Sequence, residues 1–305
     1  MRVFVTGASG WIGSAVVPEL MAAGHDVVGL ARSEASAERL RAAGAHVQRG
    51  SLADLEAVRH GADKADGVIH LAFIHDFTRY DQALSTDRHA IEALGDALEG
   101  SDRPLVVASG IAAHTTTGVA TEEDPPHPDF PRAAAASTTI GLAERGVRSS
   151  VVRLPPSVHG TGDPGFVPTL VNIARARRAS GHVADGTNHW PAVHRRDAAR
   201  LFRLVLESGA PGTVWHAVAD EGVLTSAIAE VIGRHLHVPV ISVAPERAPE
   251  HFGWLGVFFG VDLRATSALT RERLGWEPTG PGLLEDLDEG HYFDATAPRG
   301  LPVAR

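Results

Sequence analysis

"VFVTGASGWIG", residues 3–13, decides how this chain is read. An apolar run ends at Thr6, and three glycines follow at Gly7, Gly10 and Gly13 before a helical stretch begins. A glycine triplet alone is weak, because the spacing also arises by chance. Its context gives it weight: strand, loop, helix, then a second apolar strand, "DVVGLA" (26–31), about 20 residues on. Gly7 permits the tight turn, Gly10 lets backbone approach a pyrophosphate, and Gly13 lets the helix pack closely on the strand. Ser9, Trp11 and Ile12 complete the loop. The helix N-terminus beyond it offers unpaired N–H groups and partial positive charge to phosphates. The bland alternative is a structural glycine turn without a ligand.

The same alternation continues. "EASAERLRAAG" (34–44) reads as a helix, and "HVQRG" (46–50), "GVIHLA" (67–72), "LVVAS" (105–109) and "SSVVRL" (149–154) read as strands with helices between them. These strands are apolar on both faces, as in a parallel sheet covered on both sides. The expected class is α/β, a Rossmann-type doubly wound parallel sheet. Past Leu154 proline, glycine and histidine become frequent, with helices expected at 165–180, 195–208, 225–236 and 269–275 and short strands at 213–218 and 238–243. The expected organisation is a nucleotide-binding domain at 1–154, a mostly substrate-binding C-terminal lobe with crossovers at 155–294, and a poorly ordered tail at 295–305.

At 305 residues, 44% hydrophobic and 21% charged, the chain has the balance of a globular protein with a sizeable core. A net charge of -9 argues against a nucleic-acid binder. The absence of cysteine excludes disulfides, thiolate metal sites and a cysteine nucleophile. Seventeen histidines include no HExxH and no His-x-x-x-His, and no His/carboxylate cluster stands at ligand spacing, so no metal is expected. No G-x-S-x-G elbow supports a hydrolase. The apolar stretch "FGWLGVFFGVDL" (252–263) is shorter than the roughly 20 residues of a membrane span. It reads as a pocket wall or an apolar surface, the candidate contact of a homodimer. A strand at the very start leaves no room for a signal peptide, so a cytoplasmic location is expected.

The second strand ends "GLARS". Ala31 stands where an NAD site carries a carboxylate for the ribose 2′-hydroxyl. Arg32 offers a planar fork suited to a phosphate, and Ser33 a hydroxyl. This favours NADP(H); the alternative is an exposed arginine at a helix start.

Several segments together resemble the extended short-chain dehydrogenase/reductase superfamily, which includes sugar-nucleotide epimerases and dihydroflavonol-type reductases. "TGASGWIG" (6–13) matches its glycine fingerprint, "VIHLAF" (68–73) its fourth strand, and "VVASG" (106–110) the strand end that carries a serine or threonine. "VRLPPSVHG" (152–160) matches the segment reaching the nicotinamide, and "WPAVHRRDAARLF" (190–202) a helix start in the small lobe. The resemblance implies Ser51 and Leu52 near the adenine, Leu71, Ala72 and Phe73 along the cofactor, and Pro155, Ser157 and Val158 at the nicotinamide.

The resemblance breaks at the catalytic centre. The superfamily opens the helix after the fifth strand with Tyr-x-x-x-Lys, the tyrosine moving the substrate proton. This chain has tyrosines only at 80 and 292, and its one lysine is Lys64. On the expected helix, 129–146, the tyrosine position falls near Pro128 or Asp129 and the lysine position near Arg132 or Ala133. The serine or threonine position falls on Gly110, with Ser109 one residue earlier. Candidate replacements are Ser109, His114 and Arg132, the last always charged and so unable to act as an acid. His75, His159 and His194 also belong to segments expected near the cleft, although a lone histidine is more often structural.

The sequence thus supports an NADP(H)-dependent oxidoreductase passing hydride between cofactor and a small carbonyl or alcohol. The substrate is expected to be hydrophobic if Phe166, Trp190, Phe252, Trp254, Phe258 and Phe259 line the cleft; the equally weighted alternative is that each belongs to the core. A non-redox isomerase or cyclase, or an NADP(H)-sensing binding protein on the same fold, is the alternative.

Overall fold

The computed structural model describes residues 1–74, 79–111, 118–127, 129–294, 296–298 and 300–301. Seven strands form one parallel sheet: β1 (Arg2–Thr6), β2 (Asp26–Ala31), β3 (His46–Arg49), β4 (Gly67–His70), β5 (Pro104–Gly110), β6 (Arg148–Leu154) and β10 (Thr213–His216). Their spatial order is β10-β6-β5-β4-β1-β2-β3. The chain therefore runs one way from β1 to β3 and the other way from β4, which leaves a crevice at the C-terminal ends of β1 and β4.

Both faces are covered. Helices α1 (Gly13–Ala22), α2 (Glu34–Ala42) and α7 (Arg195–Ser208) bury Val16, Leu20, Leu40 and Phe202 on one side. On the other, α3 (Leu55–Asp63), α4 (Tyr80–Leu98) and α5 (Ala133–Gly141) bury Val58, Ile91, Leu94 and Ala135. Such two-sided burial is why the strands carry no polar alternation.

The remaining elements make a smaller lobe. Strands β7 (Ser157–His159), β9 (His189–His194) and β11 (Asp220–Leu224) form a three-stranded sheet, and β8 (Ser180–Val183) pairs in parallel with β12 (Val240–Val243). Around them stand α6 (Phe166–Arg177), α8 (Thr225–Leu236), α9 (Ala248–Phe252), α10 (Leu255–Phe259) and α12 (Leu283–Asp288), and α11 (Ala268–Leu274) returns to the large layer near β10. Two segments read in sequence as pieces of this lobe lie elsewhere. Helix α7 packs on α1, and β10 extends the large sheet beside β6. Their sequences suit that place, since Ala198, Phe202, Val205 and Trp215 present apolar surface to the main core.

Among the described residues of the expected tail, the Leu301 amide donates to Thr169 Oγ1 at 2.8 Å. The aromatic residues of the lobe pack on one another, with ring centroids 5.0 Å apart for Trp190–Phe259 and 5.2 Å for Phe252–Phe259. Trp190, Phe252 and Phe259 are core, each 1% exposed. The segment still shows an apolar outer face, with Val257, Phe258 and Val261 at least half exposed. Among the described residues no helix is long and apolar enough to cross a membrane.

Candidate active site

The glycine loop joins β1 to α1 at the crevice. Gly7 has φ +68°, and a Cβ there would lie 2.7 Å from the Ala72 amide nitrogen. Only glycine lets the loop pass so close to the segment after β4. A Cβ on Gly13 would meet the Gly7 carbonyl oxygen at 2.2 Å, so helix and turn also touch backbone to backbone. Among the described residues no side chain caps α1, and no acidic residue occupies its first turn. Uncapped amides beside a glycine-lined turn fit the pyrophosphate of a dinucleotide. Ser9 and Ile12 lie in this loop, and Trp11 reaches across it: its Nε1–H donates to the Val158 carbonyl at 2.7 Å, and Arg195 stacks 4.2 Å from its ring centre.

At the end of β2, Ala31 is buried and Arg32 is exposed with no ion pair among the described residues. The Ser33 hydroxyl is engaged as the N-cap of α2, accepting from Ser36 N at 3.2 Å. Sequence reasoning passed over Arg49, at the end of β3, which donates to the Ser33 carbonyl at 2.9 Å and pairs with Glu34 at 3.0 Å. Leu52 is a buried core residue behind the crevice, with Ser51 half-buried before it.

A buried polar chain runs from the crevice into the sheet edge. Ala72 N donates to Thr6 Oγ1 (3.3 Å), Thr6 Oγ1 meets His70 Nδ1 (2.9 Å), and His70 Nε2 meets Asp87 Oδ1 (3.2 Å). Since Thr6 already accepts from Ala72, we assign its proton towards His70 Nδ1, which leaves the Nε2 proton donated to Asp87. Asp87 Oδ2 receives Arg132 at 3.2 Å, and the same guanidinium donates to the Ala108 carbonyl at 2.9 Å. His70 and Asp87 are essentially inaccessible. Burial would raise the Asp87 carboxyl, but the His70 hydrogen bond and the Arg132 charge hold it below the ordinary range. The guanidinium also lies 4.6 Å from the centre of the Phe73 ring.

Ser109 stands at the C-terminal end of β5, opposite Arg153 of β6 and next to the carbonyl that Arg132 holds. The neighbouring Gly110 faces Phe130, whose ring would lie 3.1 Å from a Cβ there. Helix α5 begins at Ala133 with Arg132 as its N-cap, later than the expected 129. A Tyr-x-x-x-Lys opening this helix would therefore put its tyrosine at Arg132–Ala133 and its lysine at Ala136–Ser137. His114 and His75 lie outside the described residues.

On the other side of the crevice Pro155, Ser157 and Val158 follow β6, and the Ser157 hydroxyl is buried without a hydrogen-bond partner among the described residues. Behind it lies a second polar cluster. His159 Nδ1 meets Asp286 Oδ2 at 2.9 Å, and Tyr292 holds Gly160 N at 3.1 Å while donating towards Asp163 and Asp286. Burial pushes Asp163 up to about 7. Asp286, Glu289 and His291 bring ligand atoms within 4.8 Å of one another, a grouping created by a helix end rather than by any sequence motif. Both Asp286 oxygens already meet histidines, His159 and His291.

The comparisons agree with this geometry. The model of the NAD dependent epimerase/dehydratase family matches residues 3–217. An uncharacterized protein of Schizosaccharomyces pombe is 49% identical over 295 residues, covering 96% of this chain and 100% of that one. The 2-alkyl-3-oxoalkanoate reductase of Stenotrophomonas maltophilia is 32% identical over 226 residues, 70% of this chain and 67% of that protein. Among solved structures, the UDP-glucose 4-epimerase of Thermotoga maritima with UDP-glucose superposes with a TM-score of 0.76 at 22% identity, covering 96% and 98% of the two chains. That likeness shows the fold. Fingerprint, sheet order and family match converge, and the chain belongs to the NAD-dependent epimerase/dehydratase family.

Proposed function

We propose that this protein is an NADP(H)-dependent oxidoreductase acting on a small carbonyl or alcohol compound. The observation that carries the reading is the buried chain from the Ala72 amide to Arg132, which ties the segment lining the crevice to the β5 edge. Bound nicotinamide supplies the hydride chemistry. In this reading the glycine loop and Leu71–Phe73 form one wall, and the buried Ser109, at the C-terminal end of β5, is the hydrogen-bond partner assigned to a carbonyl oxygen. Phe73 and Phe130 give that edge an apolar flank, which suits a hydrophobic substrate better than a sugar nucleotide. Relatives named for reductase and ketoreductase activities support the same direction.

The preference for NADP(H) rests on Arg32. Ala31 supplies no carboxylate, and Glu34 is engaged by Arg41 and Arg49, which leaves Arg32 to meet a 2′-phosphate. A charge-assisted contact of about 1.5–3 kcal/mol corresponds to roughly 10- to 150-fold in affinity. Arg32→Ala is expected to weaken NADPH by that factor and NADH by less than about twofold; equal losses refute the assignment. Mixing the enzyme with NADPH and a panel of aldehydes and ketones, while following absorbance of the reduced nicotinamide, tests the reaction. No oxidation with any of them, despite tight NADPH binding, favours the non-redox alternative.

A further inference from the structure

Hydride addition to a carbonyl leaves an oxygen that must acquire a proton, and α5 carries no group able to give one. Arg132 stays charged at all relevant pH values, and a serine hydroxyl is a poor acid. The fold returns a phenol to this edge from another direction. Tyr80 is the first residue of α4, half-buried, with its ring edge-on to Phe73 at 6.1 Å between centroids and 71° between planes. Phe73 in turn carries the Arg132 guanidinium at 4.6 Å. Tyr80, Phe73 and Arg132 thus form a row across the C-terminal ends of β4 and β5, where ligands bind in doubly wound sheets. The chain's other tyrosine, Tyr292, is 3% exposed and committed to the Asp163–Asp286 cluster of the small lobe.

We propose that Tyr80 is the proton donor of the reaction, with Arg132 as the cation that steadies its phenolate. The inference rests on the oxidoreductase reading. In the reductive direction the carbonyl carbon gains a hydride and the carbonyl oxygen gains the Tyr80 proton. The carbonyl becomes an alcohol, the nicotinamide is oxidised, and the Tyr80 phenolate recovers its proton from water. Two charges act on the phenol: Arg132 from the start of α5, and Asp87 from two turns along α4. Burial raises the phenol above its ordinary range, Arg132 opposes that, and Asp87 adds to it. Tyr80 is therefore protonated at neutral pH, as a donor must be.

The test has a binding-independent arm and a kinetic arm. In cofactor-free protein, the ultraviolet difference band of phenolate is followed from neutral to strongly alkaline pH for wild type, Y80F, R132M and R132K. Y80F should remove one component, R132M should move that component up by about one pH unit, and R132K should return it towards wild type. An unmoved component in R132M overturns the pairing. In single turnovers with NADPH and a carbonyl that wild type reduces, Y80F should lose about 10²–10⁴-fold in rate. NADPH binding, read by fluorescence, should change less than about threefold, that is by under about 1 kcal/mol. Phenylalanine keeps the ring that packs on Phe73, so folding is not the variable. A Y80F enzyme with unchanged rate overturns this inference alone. A wild type that oxidises NADPH with no carbonyl overturns the underlying reading as well.

Discussion

Asp87→Asn, Arg132→Met and the double variant measure how tightly the β5 edge is held. The carboxylate and guanidinium approach to 3.2 Å, where an effective dielectric of about 20 gives an attraction of about 5 kcal/mol. Desolvation offsets part of it, because Asp87 is 1% and the Arg132 side chain 16% exposed. Removing either partner leaves the other short of a countercharge: Asp87 keeps His70, or Arg132 keeps the Ala108 carbonyl and the Phe73 ring. Each single variant is therefore expected to cost about 3–5 kcal/mol. For a chain of this size that lowers Tm by on the order of 10 °C. The double variant removes both charges, and should cost at least about 1.5 kcal/mol less than the sum of the singles. Guanidinium unfolding followed by tryptophan fluorescence gives all four corners of the cycle. Additivity within about 0.5 kcal/mol refutes the idea that the two groups work as a pair.

Gly13→Ala forces a methyl into the Gly7 carbonyl at 2.2 Å, so NADPH affinity should fall at least about tenfold; an unchanged Kd by fluorescence titration removes the cradle from the argument. Asp163→Asn tests the raised carboxyl. Its folded value of about 7 exceeds the unfolded value, so the fold favours the protonated form and loses stability as pH rises towards and through 7. From about pH 5 to about pH 8 the wild type should lose about 2–3 kcal/mol relative to this variant, and a pH-independent gap contradicts it. His216 gives the opposite slope. Burial, helped by the Arg153 charge, holds it down to about 4, so its neutral form is the folded one and stability falls as pH drops below the unfolded value of 6.5. Relative to His216→Gln, wild type should lose about 2 kcal/mol between about pH 7 and about pH 5 in urea unfolding; parallel curves would sink the assignment.

The nucleotide half is legible in sequence because its signals are local. Each strand of "RVFVT" or "DVVGLA" type is a continuous apolar run, and each helix follows within the same stretch. The small lobe is not, for a physical reason: its strands are three to six residues long and find partners far away, as Ser180 does with Val240. The start of α5 was also misplaced, because Pro131 and the alanines after Arg132 leave several starts equally plausible to propensity. The family resemblance singles out Arg132, as the cation at the expected lysine position. Its partner Asp87, mid-helix, gives no motif signal, and the link from Asp87 to His70 at the end of β4 is made only by the fold. Tyr80 was passed over for the same reason. A short-range motif search looks after the fifth strand, whereas the crevice also receives the first turn of α4.

Trp11 has a thermodynamic consequence. Its indole joins the glycine loop to the Val158 carbonyl and to Arg195, so the two halves of the crevice share one side chain. A dinucleotide that settles the loop also settles β7, and a substrate that settles β7 returns the effect to the loop. If the contact couples them, linkage makes each ligand change the other's affinity by one common factor, typically about 5- to 150-fold. Trp11→Phe keeps the ring but not the N–H, and should shrink that factor while leaving each ligand's separate affinity nearly intact. One indole thus spans both halves of the crevice.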